Sequence, residues 1–399
     1  MNILFITLLK INSLSDRGIY TDLLRKFEED GNTIYVICPN ERREGRKTEI
    51  IINNQLNLLR VKTFNIQKAP LIEKGLGTLA IEYQYLYAIK KYFKNTKFDL
   101  IIHSTPPITF TKVINYIRKR DRAISYLLLK DIFPQNAVDM KLITKNGLLH
   151  KYFRRKEKKL YEVSDYIGCL SKANLEYLKA HDTYLNFNNI EINPNTITPN
   201  FINYSSLEKE DVKLKYQIPL DKKIFIYGGN LGRPQGVEFL LDTIQNCKRL
   251  DVYFLIIGSG TEFVKIKKWF DNRNPENATL FSFLPKNDYD KLLAACDVGL
   301  IFLHKDFTIP NYPSRLLSYL EMKMPIIAAT DPNTDVGTDI EKNKCGYWVL
   351  SGDNKAMQAA IDNLMNDEKI FATFKENAWK FLMNEFTTER SFSLIKQKI

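Results

Sequence analysis

Short runs of β-branched and aliphatic residues alternate along the whole chain with longer stretches whose apolar positions repeat about every 3.6 residues. In the first half the strand-like runs fall at 2–8, 33–38, 50–53, 99–103, 124–129 and 166–170, and helical periodicity fills 18–30, 78–94, 109–119, 147–162 and 171–180. The alternation restarts at Lys223–Tyr227 and continues through Tyr253–Ile257, Thr279–Phe283, Val298–Phe302, Ile326–Ala329 and Gly346–Val349. Strands joined by helices of this length pair in parallel, so the pattern predicts parallel sheets covered by crossover helices. A chain of 399 residues, 44% of them hydrophobic, is too long for one core, and the Asn- and Pro-rich segment 186–203 separates two series of similar size. The expected fold is α/β, with two doubly wound Rossmann-like domains and a cleft between them. The expected boundaries are 1–195 for the first domain and 196–380 for the second, with a terminal helix at 381–399 crossing back to the first.

Several classes of protein are excluded. The five cysteines, at 38, 169, 247, 296 and 345, include no C-x-x-C pair and no Cys/His cluster of zinc spacing, which points to a reducing cytosol. The apolar start Met1–Leu9 lacks a basic flank and a cleavage site and reads as a buried first strand. No apolar run approaches the roughly 18 to 20 residues needed to cross a bilayer. The net charge of +12 lies entirely in the first half, where residues 1–195 hold 32 Lys and Arg against 20 Asp and Glu, while the remainder balances 26 against 26. Such asymmetry points to an anionic partner for the first domain, either a phospholipid surface, a lipid-pyrophosphate or nucleic acid. Its sharpest cluster runs from Lys151 to Lys159, which also has the look of a solvated helix face. With no nucleic-acid module and no aromatic-basic alternation on a sheet face, nucleic acid is not the expected partner.

Ligands of doubly wound sheets sit beyond the carboxyl ends of the strands, and four loops there stand out in the second half. The first, Tyr227-Gly228-Gly229-Asn230-Leu231-Gly232-Arg233-Pro234-Gln235-Gly236, joins a strand to a helix beginning near Val237. Its glycines allow close backbone approach, the helix start offers free N–H groups to phosphate, and Arg233 adds a charge-assisted contact. Tight turns use glycine in the same way with no ligand at all. The second loop, Gly258-Ser259-Gly260, and the third, Phe283-Leu284-Pro285-Lys286, also end strands, and the third has backbone groups to present to a base. The fourth runs from Asn311 through Pro313-Ser314-Arg315 to Ser318 and Glu321, where Pro and Ser mark a helix start that aims amides and Arg315 at the same edge. Four such loops in this order are far more specific than any one.

In the first half, Asp131 follows the apolar strand Ile124–Leu129 and is the candidate for orienting or deprotonating a hydroxyl, with a turn or cap role as the alternative. His103, also at a strand end, reads as a loop hydrogen-bonder. Asp288-Tyr289-Asp290 imitates a metal-binding D-x-D but opens a helix, where acids complement the dipole. No metal and no cofactor are expected.

Taken together, these motifs resemble the nucleotide-sugar glycosyltransferases of family 4, which have the GT-B architecture. The likeness runs over nearly the whole chain, and the second half carries its specific part. The family's glycine loop is similar to Gly228–Gly236, its "GxG" strand end to Gly258–Gly260, and its "aDv" strand to Ala295-Cys296-Asp297-Val298. In the first half, Lys130-Asp131-Ile132-Phe133-Pro134-Gln135-Asn136-Ala137 resembles the "RDxxPExA" stretch of members that build capsule and O-antigen repeats. The Pro-Ser-Arg helix most resembles that of enzymes handling N-acetyl-L-fucosamine or related amino sugars. The chain departs from the family pattern in having Asn230 and Gln235 where Arg and Lys are usual, and Pro310 and Ser318 where a pair of glutamates is usual.

The resemblance implies a metal-independent, retaining hexosyltransferase, cytoplasmic and peripheral on the inner face of the plasma membrane. The first domain would bind an undecaprenyl-pyrophosphate-linked saccharide, and the second a sugar donor linked to UDP. Arg233, Arg315 and the amides of Gly229 and Ser314 would stabilise the departing diphosphate, and Asn230, Gln235, Gly258, Gly260, Phe283, Leu284 and Pro313 would line the donor. Ser318 or Glu321 would hold the ribose, and Arg17 with Gly18 would close over the phosphates from the other domain. Two other readings share the architecture: a hydrolysing UDP-sugar 2-epimerase, which needs no acceptor, and a non-catalytic nucleotide-sugar-binding subunit.

Overall fold

The computed structural model describes residues 1–53, 56–66 and 69–399. The chain divides into two compact units, one of Met1–Thr198 with Thr387–Ile399 and one of Pro199–Phe386. These limits lie three residues beyond the expected 195 and six beyond the expected 380.

The first unit contains β1 (Asn2–Ile6), α1 (Ile19–Glu29), β2 (Thr33–Glu41), β3 (Glu49–Asn53), β4 (Leu56–Thr63), α2 (Leu71–Tyr92), β5 (Leu100–Ser104) and α3 (Thr111–Asp121). It continues with β6 (Ile124–Leu129), α4 (Gln135–Asp139), α5 (Leu148–Val163), β7 (Tyr166–Cys169), α6 (Lys172–His181) and β8 (Ile190–Ile192). Its eight strands lie in the order β3-β4-β2-β1-β5-β6-β7-β8, all parallel except β3, which is antiparallel to β4. The continuous apolar run of β1 follows from burial on both faces: Ile3 and Phe5 join a core with Leu24 and Phe27 of α1, and Leu4 and Ile6 join another with Ile81 and Tyr85 of α2 and Val113 of α3.

Three features differ from the sequence expectation. β4 was not anticipated, and β8 occupies the segment expected as a linker, pairing with β7 at the sheet edge. Helix α2 begins at Leu71 rather than 78, its first turns containing Gly75 and Gly77. A Cβ on Gly77 would lie 2.8 Å from Ile66 Cγ1, so the glycine that hides the helix from a propensity reading lets it pack there.

The second unit contains α7 (Ser206–Lys215), β9 (Lys223–Asn230), α8 (Val237–Asn246), β10 (Val252–Ser259), α9 (Phe263–Arg273), β11 (Ala278–Phe281) and α10 (Lys286–Ala294). Then come β12 (Val298–Phe302), α11 (Arg315–Glu321), β13 (Ile326–Thr330), α12 (Val336–Lys342), β14 (Gly346–Leu350), α13 (Asn354–Asn366) and α14 (Glu368–Glu385). Its six strands are parallel throughout, in the order β11-β10-β9-β12-β13-β14. Strand order reverses between β9 and β12, so the crevice of this sheet opens where the loops after those two strands diverge. The last helix, α15 (Thr388–Lys396), belongs to the first unit, where Phe392 meets Phe27 with ring centroids 4.8 Å apart. This is the GT-B fold: two parallel α/β units, each with its own sheet. Among the described residues no helix is long and apolar enough to cross a membrane.

Candidate functional site

At the switch point of the second unit, β9 parts from β12 after Ile226 and runs on beside β10 through Gly228 and Gly229. The guanidinium of Arg315, at the start of α11, lies over the Tyr227 ring, with Cζ 4.1 Å from its centroid. A Cβ on Gly229 would stand 3.6 Å from Arg315 Nη2, and Gly229 holds φ +125°, a conformation suited to glycine. Tyr319 fixes the floor: its hydroxyl accepts the Gly228 amide at 3.2 Å and faces the carbonyls of Ile226 and Leu300 at the same distance. The Tyr289 hydroxyl fills the space where a Gly228 side chain would sit. Within this tyrosine pocket Arg315 Nη1 is buried and has no hydrogen-bond acceptor, and among the described residues no carboxylate forms an ion pair with it. A buried guanidinium without a counter-charge costs several kcal/mol or less according to what its ring neighbours return, so an anion arriving there gains what the protein withholds.

The rest of the expected donor set is placed more variously. Asn230 and Gln235 bond to each other, Asn230 Nδ2 donating to Gln235 Oε1 at 2.8 Å while Gly232 N donates to the same oxygen at 3.1 Å. They close the glycine loop on itself. Gly258 and Gly260 serve backbone packing, since a Cβ on either would meet the carbonyl of Gly229 at 1.9 Å or of Leu231 at 2.3 Å. Arg233 is exposed and lines a recess of about 400 Å³ together with Glu238, Lys265, His304 and Lys305. Phe283 is exposed and Leu284 half-buried between β11 and α10. Pro313 and Ser314 precede α11, and Ser314 makes no side-chain cap to it. Ser318 is half-buried one turn beyond Arg315. Glu321, expected as an alternative ribose ligand, is buried and accepts the Asn200 amide at 2.7 Å, so its carboxylate secures the entry of the chain into this unit. Asp288 and Asp290 on α10 face Lys215 and Lys286.

In the first unit the carboxyl ends of β5 and β6 converge on one hydroxyl. Thr105 Oγ1 accepts the amides of Lys130 at 3.0 Å and Asp131 at 3.1 Å and donates to the Asp131 carbonyl at 3.0 Å. Asn136 Nδ2 donates to Asp131 Oδ2 at 2.7 Å. Burial pushes the Asp131 carboxyl up to about 6. Burial also pulls the neighbouring Lys130 ammonium down to about 7, with Nζ 3.4 and 3.3 Å from the carbonyls of Asn193 and Pro194. His103 is buried on β5 and held down to about 3 by the same cause, hence neutral, with Nε2 3.4 Å from Ser164 Oγ. Arg17 donates to the Thr198 carbonyl at 3.1 Å, and Gly18 caps α1 with its amide on Asp22 Oδ1 at 3.3 Å. The Lys151–Lys159 cluster divides: Arg154 is committed to buried Glu157 and Asp182, and Lys156 to Glu82, while Lys151, Arg155, Lys158 and Lys159 are exposed.

Residues 208–381 match the model of the glycosyl transferases group 1. The second unit is thus similar over most of its length to a group 1 glycosyl transferase domain. The chain is also 25% identical over 308 residues to a protein of Pseudomonas aeruginosa described as "Probable glycosyltransferase WbjE", covering 74% of this chain and 73% of that one. It is 24% identical over 140 residues, 34% of either chain, to WcaI of Escherichia coli K12, a glycosyl transferase by name assigned to colanic acid biosynthesis. Among solved structures, sucrose-phosphate synthase from Thermosynechococcus elongatus superposes with a TM-score of 0.76 at 16% identity, covering 99% of this chain and 97% of that one. Anabaena Alr3699/HepE, solved in complex with UDP, does so with a TM-score of 0.70 at 15% identity, covering 100% and 99%.

Within the second unit, the residues that sequence reasoning gave no role are Tyr227, Tyr289 and Tyr319, which surround Arg315. At strand and helix positions such aromatics read as core, and nothing in their spacing announces a pocket. In the first unit the missed residue is Lys130, whose signal was its place beside Asp131.

Proposed function

We propose that the chain is a retaining, metal-independent family 4 glycosyltransferase that moves a sugar from a UDP-linked donor to a lipid-linked saccharide during surface polysaccharide synthesis. The observation that carries the donor half of this reading is Arg315, a half-buried cation whose Nη1 is buried and unused at the switch point of the second unit. A nucleoside diphosphate supplies the charge that this site lacks, and the leaving diphosphate needs such a donor most when its bond to the sugar breaks. In this reading Gly229, whose missing side chain opens the loop toward Arg315, and the Ser314 amide serve as further donors, and Arg233 of the same glycine loop as a second cation. The UDP complex of Alr3699/HepE supports the nucleotide class.

On the acceptor side, Asp131 orients the incoming hydroxyl, which attacks from the face that the diphosphate leaves. A carboxylate that titrates near about 6 is anionic at neutral pH yet basic enough to accept a strong hydrogen bond. The name of WcaI and the Lys130–Ala137 motif support a saccharide acceptor of the capsule or O-antigen kind, here an undecaprenyl-pyrophosphate-linked one, and the Pro-Ser-Arg helix supports an N-acetylated amino sugar in the donor. The basic first unit supports a place at the inner face of the plasma membrane.

The test is product analysis with a panel of UDP-sugars, with and without lipid-linked acceptor. Transfer that requires acceptor and preserves the anomeric configuration is the expected result. Interconversion of the donor without acceptor would identify an epimerase instead, and binding without turnover a non-catalytic subunit.

A further inference from the structure

The place of Arg315 is not set by its own helix. α11 is seven residues long, and Ser314 before it makes no side-chain cap, so the helix start has little of its own to fix where it lies. The chain arrives there through residues 303–314, which form neither strand nor helix. At its beginning this segment is tied to the glycine loop, His304 N donating to the Pro234 carbonyl at 2.9 Å. In its middle it buries Phe307 and Ile309.

The rest of the segment is held from the loop after β13. There Asp331, itself buried, accepts the amides of Asn333 at 2.8 Å and Thr334 at 3.1 Å on Oδ1, and so folds the turn that leads into α12. From that turn Asn333 Nδ2 donates to the Phe307 carbonyl, and Thr334 Oγ1 to the Asn311 carbonyl. Asp339 Oδ2 of α12 accepts the Tyr312 hydroxyl at 3.0 Å. Asn311 and Tyr312 are the residues from which the chain turns through Pro313 and Ser314 into Arg315. On the far side of the same short helix, the Tyr319 hydroxyl accepts the Gly228 amide. Arg315 therefore lies between two anchored points, one in the glycine loop and one in the turn after β13.

We propose that Thr334 is a positioning residue for Arg315: by holding the Asn311 carbonyl it fixes the approach of the chain to α11, and with it the guanidinium that meets the diphosphate. Asn333 and Asp339 hold the same segment at Phe307 and Tyr312. The inference rests on the reading of Arg315 as the donor to a nucleoside diphosphate. A hydroxyl on a loop carbonyl is ordinary in itself, since buried carbonyls need partners. This one is buried, is ordered by a buried carboxylate, and acts on the last stretch of backbone before a cation whose Nη1 has no acceptor. Hydrogen bonds weaken steeply when their angle is spoiled, so a small shift of that backbone is felt at the guanidinium.

The experiment is a double-mutant cycle on UDP affinity, read by calorimetric titration of the full chain. Thr334→Val removes the donor and keeps the branched shape, and Thr334→Ser keeps the hydroxyl. Thr334→Val weakens UDP binding about three- to tenfold, the worth of one neutral hydrogen bond, and Thr334→Ser restores it. In the Arg315→Ala background Thr334→Val has no further effect, because the residue it acts through is gone. Tyr312→Phe, which deletes only the hydroxyl on Asp339, follows the same pattern and decides the matter if Thr334→Val does not fold. Unchanged affinity in the single variants overturns the proposal. So does an undiminished loss in the Arg315→Ala background, which a merely structural role would give. Wild type and Arg315→Ala are titrated in the same series, so failure of the donor reading shows separately, as equal affinity in those two proteins, and removes the proposal with it.

Discussion

Arg315 and Asp131 sit in opposite electrostatic situations, and each states what it needs. Arg315 lies over the Tyr227 ring in a tyrosine pocket and, among the described residues, forms an ion pair with no carboxylate, which is the reason the proposed diphosphate is put there. Asp131 has been moved toward neutrality by burial, with Asn136 as its side-chain donor, so small changes in pH decide whether it is charged. Because its pKa is raised, the anion is lost as pH falls through about 6. The expected pH profile of kcat/KM with acceptor therefore climbs from pH 5 to pH 7 and levels above. Asp131→Asn should flatten that limb and lower turnover about a hundredfold or more; a variant that keeps both the limb and the rate removes Asp131 from the acceptor side. Both residues stand out in the sequence as candidates because each lies next to a marked strand or helix end in a polar motif. Asn230 and Gln235 stand out for the same reason, as polar side chains in a glycine loop, and the fold adds a hydrogen bond between them that their spacing did not announce.

The strands of the second unit were legible to within three residues, because they are buried on both faces and read as unbroken apolar runs. Those missed in the first unit lie at its edges: β8 is three residues long among Asn and Pro, and β4 is the partner of the antiparallel edge strand β3. Edge strands bury less and therefore write less into the sequence. The glycine loops teach a related lesson. Gly258 lies where β9 and β10 run out together, and a side chain there would strike the Gly229 carbonyl at 1.9 Å. Gly258→Val should cost about 1–3 kcal/mol and lower the melting temperature by several degrees, with UDP affinity falling as the Gly229 backbone shifts. A melting temperature equal to that of wild type would show that the two strand ends part freely and that Gly258 has some other use.

Across the molecule, the division of labour visible in the charge count is also a division of surfaces. The second unit, with 23 Lys and Arg against 25 Asp and Glu, contains the stretch similar to the group 1 domain and Arg315, and the basic first unit contains Asp131 and the apolar, lysine-rich face of α2 and α5. The last helix, α15, buries Phe392 and Ile395 against α1 and the sheet of the first unit. The charge asymmetry was legible from composition alone; which cations are free was not, because Arg154 and Lys156 are neutralised by acids far away in sequence, Asp182 and Glu82. The central claim is that the second unit holds a nucleoside diphosphate on Arg315. Calorimetric titration of UDP into wild type and Arg315→Ala tests it most directly. The account predicts saturable one-site binding to wild type, weakened about ten- to hundredfold in the variant, the worth of a charged hydrogen bond of about 1.5–3 kcal/mol. Equal affinity in the two proteins, or no binding of UDP to wild type, would contradict it.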